Sequence, residues 1–199
     1  MVHSIIPRWT ARLEKVLCRF PFLVNAYSLP YQKVVAREVA LAGISSEDAV
    51  LVVGCGAAPF TAIEVARQTG ARVQAVDVDP FAVEGARRAI RSLGLQSQID
   101  VVLADASMDV PPDFSVALVA LQAAPKVAIF QTLCRRGMPH SRLVFRVAAT
   151  TFESHYDALS VDMVPTGETS QNMKTFDRSL LFAVNGDPCG EADCHADVG

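Results

Sequence analysis

The stretch Ala49-Val50-Leu51-Val52-Val53-Gly54-Cys55-Gly56-Ala57-Ala58-Pro59 decides the fold. Five consecutive apolar residues make a strand buried on both faces, the habit of parallel sheets. Two glycines then let the backbone turn sharply and approach a ligand with no Cβ in the way. Pro59 starts a helical pattern that runs to Gln68. Outward from there the period keeps changing. Strands are predicted at Arg72–Val76, Val101–Leu103, Phe114–Leu121 and Leu143–Ala148. Helices are predicted at Phe81–Leu93 and at Pro125–Arg135, the latter closed by Gly137. Asp162–Val164 and Ser179–Val184 read as a closing pair around the turn Gly167–Lys174. Strands alternating with helices form right-handed βαβ units, so the expected fold is α/β, a doubly wound, Rossmann-like, mostly parallel sheet.

Before this core, Arg8–Val24 reads as a helix ending near Pro21, and Pro30 opens a second helix, Tyr31–Ala42, stopped by Gly43. The expected organisation is an N-terminal helical extension over 1–43, an α/β domain over 44–185 and a mobile tail over 186–199. Trp9, Val16, Leu17, Phe20 and Phe22 give the first helix an apolar side that suits a partner or a homodimer contact.

Composition narrows the function classes. A chain of 199 residues with 51% hydrophobic residues buries roughly 70% of its surface on folding, enough for one core without staples. With 18 basic against 21 acidic residues and no dense basic block, neither nucleic acid nor a membrane surface is the expected partner. No apolar run is long enough to span a bilayer, and Met1–Arg8 has no signal-type pattern, which leads to a cytoplasmic expectation. Of the five cysteines, Cys18, Cys55 and Cys134 lie in apolar segments as reduced thiols. Cys189, Cys194 and His195 cluster in the tail without a second ligand pair, so no metal site is expected.

In an open α/β sheet a ligand sits outside the carboxyl ends of the strands. Gly54, Cys55 and Gly56 end the first strand there, and Ala120 ends the fourth. The second strand ends in Asp77, 23 residues beyond Gly54, where a carboxylate can accept both ribose hydroxyls of an adenosine-containing cofactor. The third ends in Ala104-Asp105-Ala106, where Asp105 can take an adenine amino group. A dinucleotide fingerprint wants a third glycine where Pro59 stands, and proline removes one of the N–H groups that a pyrophosphate needs. Glycine turn, ribose acid and adenine acid in this order resemble the class I methyltransferase fold that binds S-adenosylmethionine (SAM); a nicotinamide dinucleotide and no cofactor are the other readings. Val-Asp-Val-Asp-Pro, residues 76–80, is similar to that family's second strand, with Asp79 at the following turn.

A closer resemblance covers Tyr27–Val184. Tyr27-Ser28-Leu29-Pro30-Tyr31, the glycine turn through Thr61, and Val119-Ala120-Leu121-Gln122-Ala123-Ala124-Pro125-Lys126 resemble nicotianamine synthases. So does Phe145-Arg146, followed ten residues later by Tyr156. The resemblance implies that Tyr31, Asp77 and Arg146 line the site, and that the 3-amino-3-carboxypropyl group of SAM, not its methyl, moves to a small amine or amino acid with release of methylthioadenosine. The archaeal members carry a helical domain before the matching region, where this chain has about 26 residues, and Val147–Ser154 lacks the family's glycine and second arginine. Ring closure of the SAM side chain on its own amine is a variant of the same chemistry. A small-molecule methyltransferase and a non-catalytic SAM-binding regulator are the alternatives.

The expected catalytic set is Tyr31, Glu38, Arg146 and Tyr156. Arg146 could grip the migrating carboxylate bidentately, or pair on the surface. Tyr31 could position or deprotonate the amine, or pack on its helix. Glu38, seven residues on, shares its helix face and could reach the SAM amine or the acceptor, or face solvent. Tyr156 and His155 follow the fifth strand on the ligand side. His140 reads as a solvated turn residue, and Lys126 as an exposed one that could otherwise face the methionine carboxylate.

Overall fold

The computed structural model describes residues 21–184, with side chains from Tyr31 onward. The predicted first helix before Pro21, its apolar docking residues up to Phe20, Cys18 and the tail with Cys189, Cys194 and His195 lie outside the described residues. For Phe22 and Tyr27 only the backbone is described.

Helix α1 (Pro21–Ala42) leads into β1 (Ala49–Val53), α2 (Phe60–Thr69), β2 (Arg72–Asp77), α3 (Pro80–Ser92), β3 (Ile99–Leu103), β4 (Val116–Val119), α4 (Lys126–Arg136) and β5 (Arg142–Ala148). A 3-10 turn (Thr150–His155) and the strands β6 (Gly167–Ser170) and β7 (Phe176–Ala183) follow. The seven strands lie in the order β3-β2-β1-β4-β5-β7-β6. The first five are parallel, and β7 runs antiparallel to both β5 and β6.

Each central strand alternates between two buried faces. Val50, Val52, Val73, Ala75 and Leu118 join one core with Val35, Ile63, Val83 and Ile90 from α1, α2 and α3. Leu51, Val53, Val76, Val119 and Phe145 join the other with Ile129 and Leu133 from α4 and with Phe114, beyond the start of β4. The doubly wound expectation therefore holds. Among the described residues no helix is long and apolar enough to cross a membrane.

Two local expectations are corrected. Pro30 does not open a helix but sits inside α1, which continues through it. A proline there removes one hydrogen bond, while Val34, Val35 and Glu38 on the following turns are buried against the sheet. Gly43 does end the helix, at φ +62°, with the Ile44 amide donating back to the Val39 carbonyl. The strand paired to β7 is Gly167–Ser170, not Asp162–Val164. Its residues alternate between half-buried and exposed, so its place is set by the ladder to β7 and not by an apolar pattern, whereas Val164 points to solvent.

Candidate SAM-binding and transfer site

The glycine turn at the end of β1 is held by backbone bonds. Gly54 and Cys55 donate to the Val76 carbonyl at 2.9 and 3.1 Å. Gly54 adopts φ +77°, and a Cβ on it would sit 3.2 Å from that of Ala120 and 3.6 Å from that of Ala123. Glycine is therefore required twice, for its dihedral and for the close approach of the loop after β4. Ala120 itself donates to the Val53 carbonyl, extending the pairing of β1 and β4 by one residue.

Asp77 stands beside this turn. Its Oδ2 accepts the Gly56 amide at 2.8 Å and its Oδ1 the Asp79 amide at 3.0 Å. Each carboxylate oxygen keeps a further lone pair, so the group is oriented by its own backbone and can still accept two hydroxyls. Asp79 caps α3 by accepting from Phe81, as its place at the turn led one to expect. The buried Cys55 thiol is pushed up to about 12, first by burial and then by the Asp77 charge, which makes it a packing residue and not a nucleophile. Asp105 is exposed at the end of β3, where its Oδ1 accepts both the hydroxyl and the amide of Ser107. Those bonds, the hydroxyl's first, hold its carboxyl below the usual range. Its Oδ2 has no hydrogen-bond partner among the described residues.

A second group of residues gathers around Arg146. Its Nε and Nη2 donate to the two oxygens of Glu38, each at 2.8 Å, and Nη2 also donates to Thr61 Oγ1 at 3.0 Å. The guanidinium lies between the rings of Tyr31 and Phe176, 5.6 and 5.5 Å from their centroids. Ser179 of β7 adds a third bond to Glu38 at 2.8 Å and accepts from Gln171. Burial presses the arginine's pKa down, but the charge and hydrogen bonds of Glu38, with Tyr31 beside it, outweigh that and hold it above its ordinary value. Arg146 is thus neither a surface pair nor a free fork: its bidentate face belongs to Glu38, and Nη1 alone has no acceptor among the described residues. Glu38 is fully enclosed, not solvent-facing, and its carboxylate is bonded to Arg146 and Ser179.

Thr61 links the two groups, because it lies on the first turn of α2 immediately after the glycine turn. Tyr31 also stacks at 6.0 Å on Phe60, Thr61's neighbour. Tyr156 packs with Val34, Leu121, Ala148 and Phe176 in a small satellite core, which brings it to the same end of the sheet. His155 is exposed and touches Ser154 and Phe152. His140 is exposed in the turn before β5, as expected.

Lys126 departs from its predicted exposure. Only 1% of it is accessible, because its ammonium donates to the carbonyls of Leu121 and Ala123 at 2.6 and 3.0 Å. Burial lowers it to about 8, against a smaller opposing pull from Asp157. Residues that local patterns did not single out also frame the site. A Cβ on Gly85 of α3 would meet that of Ala57 at 2.7 Å, so this helix presses on the glycine turn. Ser179 carried a signal, a polar residue between the inward positions Phe176 and Phe182 of one strand. Among the described residues no three His, Cys, Asp or Glu side chains gather to hold a metal.

The family model described as alanine dehydrogenase/PNT, C-terminal domain, matches residues 23–113, the stretch from α1 to the loop before β4 that carries the glycine turn and Asp77. The chain is 33% identical over 132 residues to L-histidine 2-aminobutanoyltransferase of Yersinia pestis, covering 65% of this chain and 49% of that protein. It is 34% identical over 91 residues to the enzyme of the same name from Pseudomonas aeruginosa. The chain therefore spans about half the length of the first of these relatives. Among solved structures, MtNAS in complex with MTA and tNA superposes with a TM-score of 0.69 at 24% identity, over 78% of this chain and 60% of that one. An RNA methyltransferase from Salinibacter ruber in complex with S-adenosyl-L-homocysteine superposes with a TM-score of 0.61 at 18% identity, over 81% and 96%. The chain thus has the class I SAM-dependent methyltransferase fold, as its motifs led one to expect.

Proposed function

We propose that this chain is a SAM-dependent transferase that moves the 3-amino-3-carboxypropyl group of SAM to the nitrogen of a small amine or amino acid and releases methylthioadenosine. The observation that carries the reading is the contact of Arg146 Nη2 with Thr61 Oγ1 at 3.0 Å. It sets a buried guanidinium beside the glycine turn, whose other flank is tied to Asp77. Adenosine and amino-acid ends of one SAM molecule are served from the two sides.

In this reading Asp77 accepts the ribose hydroxyls and Asp105 the adenine amine. Gly54, Cys55, Gly56 and Ala120 form the backbone floor beneath the sulfonium. Arg146 directs its remaining Nη1 protons to the carboxylate of the migrating chain, a charge-assisted contact. Glu38 holds that arginine in plane, and Tyr31 and Tyr156 orient the neutral amine of the acceptor; the new C–N bond forms as the C–S bond breaks, its electron pair staying on sulfur in methylthioadenosine, and the new ammonium sheds its proton to solvent. An in-line nucleophile selects which of the three sulfonium carbons reacts. The selection therefore lies with the aromatic side of the site and not with the cofactor floor.

Histidine is the acceptor that the relatives' name suggests, and the product would then be an amino acid of metallophore type made in the cytoplasm. The SAM-binding unit is residues 44–185, and the segment before it serves as its cover or as a dimer contact. Methyl transfer is the second reading, favoured by the Salinibacter structure, which this chain matches over nearly that protein's full length.

Mass spectrometry of the protein incubated with SAM and a panel of amino acids including histidine tests the proposal. Methylthioadenosine with an acceptor heavier by one aminocarboxypropyl group is the expected outcome. S-adenosylhomocysteine in its place would make the chain a methyltransferase.

A further inference from the structure

The loop from Leu121 to Pro125 forms one wall of the site. Ala120 and Ala123 lie directly over Gly54, and Leu121 is buried with Tyr156 in the satellite core. Gln122 and Ala124, by contrast, are exposed, so little apolar burial holds the loop's outer side. What holds it is Lys126. Its side chain folds back from the first position of α4 and donates to the carbonyls of Leu121 and Ala123 from beneath. The same residue's backbone amide donates to Asp157 Oδ2, and Asp157 is the residue after Tyr156. One residue thus ties the loop through its ammonium and the segment after β5 through its amide.

We propose that Lys126 and Asp157 form a clamp that positions Tyr156 against the loop Leu121–Ala124, so that Lys126 is a positioning residue for the transfer reaction. The clamp's geometry stands on the contacts above; its consequence for catalysis rests on the reading of this groove as a SAM site. A buried ammonium that satisfies two carbonyls is costly to remove singly, because both acceptors lose their partner in a dry environment. The amide–carboxylate bond adds a charge-assisted contact at a helix start, where a negative group is favoured. Neither contact reaches a reacting atom, which separates this role from catalysis.

Hydrogen exchange on the 199-residue chain tests the clamp without relying on activity. An ordinary helix cap at Asp157 predicts that Asp157→Ala speeds exchange in the first turn of α4 only. The clamp predicts that it also speeds exchange at Tyr156 and across residues 121–124, and that Lys126→Met does the same, with partial recovery in Lys126→Gln, which keeps a donor. Methylthioadenosine affinity, titrated on the same variants, is expected to fall about tenfold. The Lys126→Met and Tyr156→Ala effects on it should be non-additive, as for groups acting through one contact. Folded variants whose exchange changes stay within the first turn of α4 would overturn the clamp. Wild-type protein that binds neither SAM nor methylthioadenosine would overturn the site reading instead, and with it the catalytic consequence, while the exchange comparison still decides the clamp.

Discussion

Arg146 and Glu38, 108 positions apart in the chain, meet as a bidentate pair with both contacts at 2.8 Å inside the protein. The pair joins α1 to β5, and through Ser179 it also joins β7. A helix ahead of the α/β core is thereby tied to the far strands of the sheet by charge as well as by apolar packing.

Removing one partner leaves the other buried and uncompensated, at a cost of about 3–5 kcal/mol. Arg146→Ala and Glu38→Ala are each expected to lose stability on that scale in urea denaturation. The double variant Glu38→Leu/Arg146→Met should recover most of it yet bind SAM poorly. Recovery of stability together with full SAM affinity would remove the arginine from the site.

Asp77→Ala removes the side chain tied to the Gly56 amide and is expected to weaken SAM at least a hundredfold by calorimetry. Asp77→Asn retains one acceptor oxygen and should fall between. Unchanged affinity in the alanine variant would defeat the ribose assignment.

Gly54→Ala forces a left-handed φ on a residue with a Cβ, a strain of about 1–2 kcal/mol. Gly85→Ala drives a Cβ to 2.7 Å from that of Ala57, an overpacking cost of about 1–3 kcal/mol. Both should lower the melting temperature. Because both displace the glycine turn, both should also weaken SAM. A Gly85→Ala protein of normal stability and affinity would mean that α3 shifts freely.

Lys126 gives a pH signature. Its folded-state value of about 8 lies below the ordinary lysine value of 10.5, so between those limits the unfolded chain binds more protons and stability rises with pH. The penalty of burying the charge is fully present below pH 8 and relieved as pH climbs toward 10.5, by about 3 kcal/mol in all. The stability difference between wild type and Lys126→Met should therefore change over that window and be flat below it, as read by denaturation at several pH values.

The α/β core was legible because its signals are local. The runs Ala49–Val53 and Arg72–Val76 carry apolar side chains to two buried faces, Gly54 marks the turn after the first, and Gly137 closes α4. Pro30 misled because its rule is a local preference, while the buried turns after it are fixed by the sheet. Gly167–Ser170 was missed because an edge strand with half-exposed polar residues takes its register from its partner. At the site, Asp77, Asp105 and Asp79 follow from strand ends. The enclosure of Lys126 does not, since it depends on two carbonyls turned inward by a loop. Nor does the pairing of Glu38 with Arg146, which only the packing of α1 on the assembled sheet brings together.

The strand order places Asp77 and Asp105 at the ends of β2 and β3, on one side of the glycine turn, while α1, β5 and β7 bring Glu38, Arg146 and Ser179 together on the other. For a protein engineer this is a seam. The half around the glycine turn can be kept as a fixed cassette, whereas the half around Arg146 must be exchanged as one block. A graft that brings in a new arginine strand without its matching helix glutamate and hairpin serine would import an unbalanced charge into the interior, and with it an insoluble product in place of a new specificity.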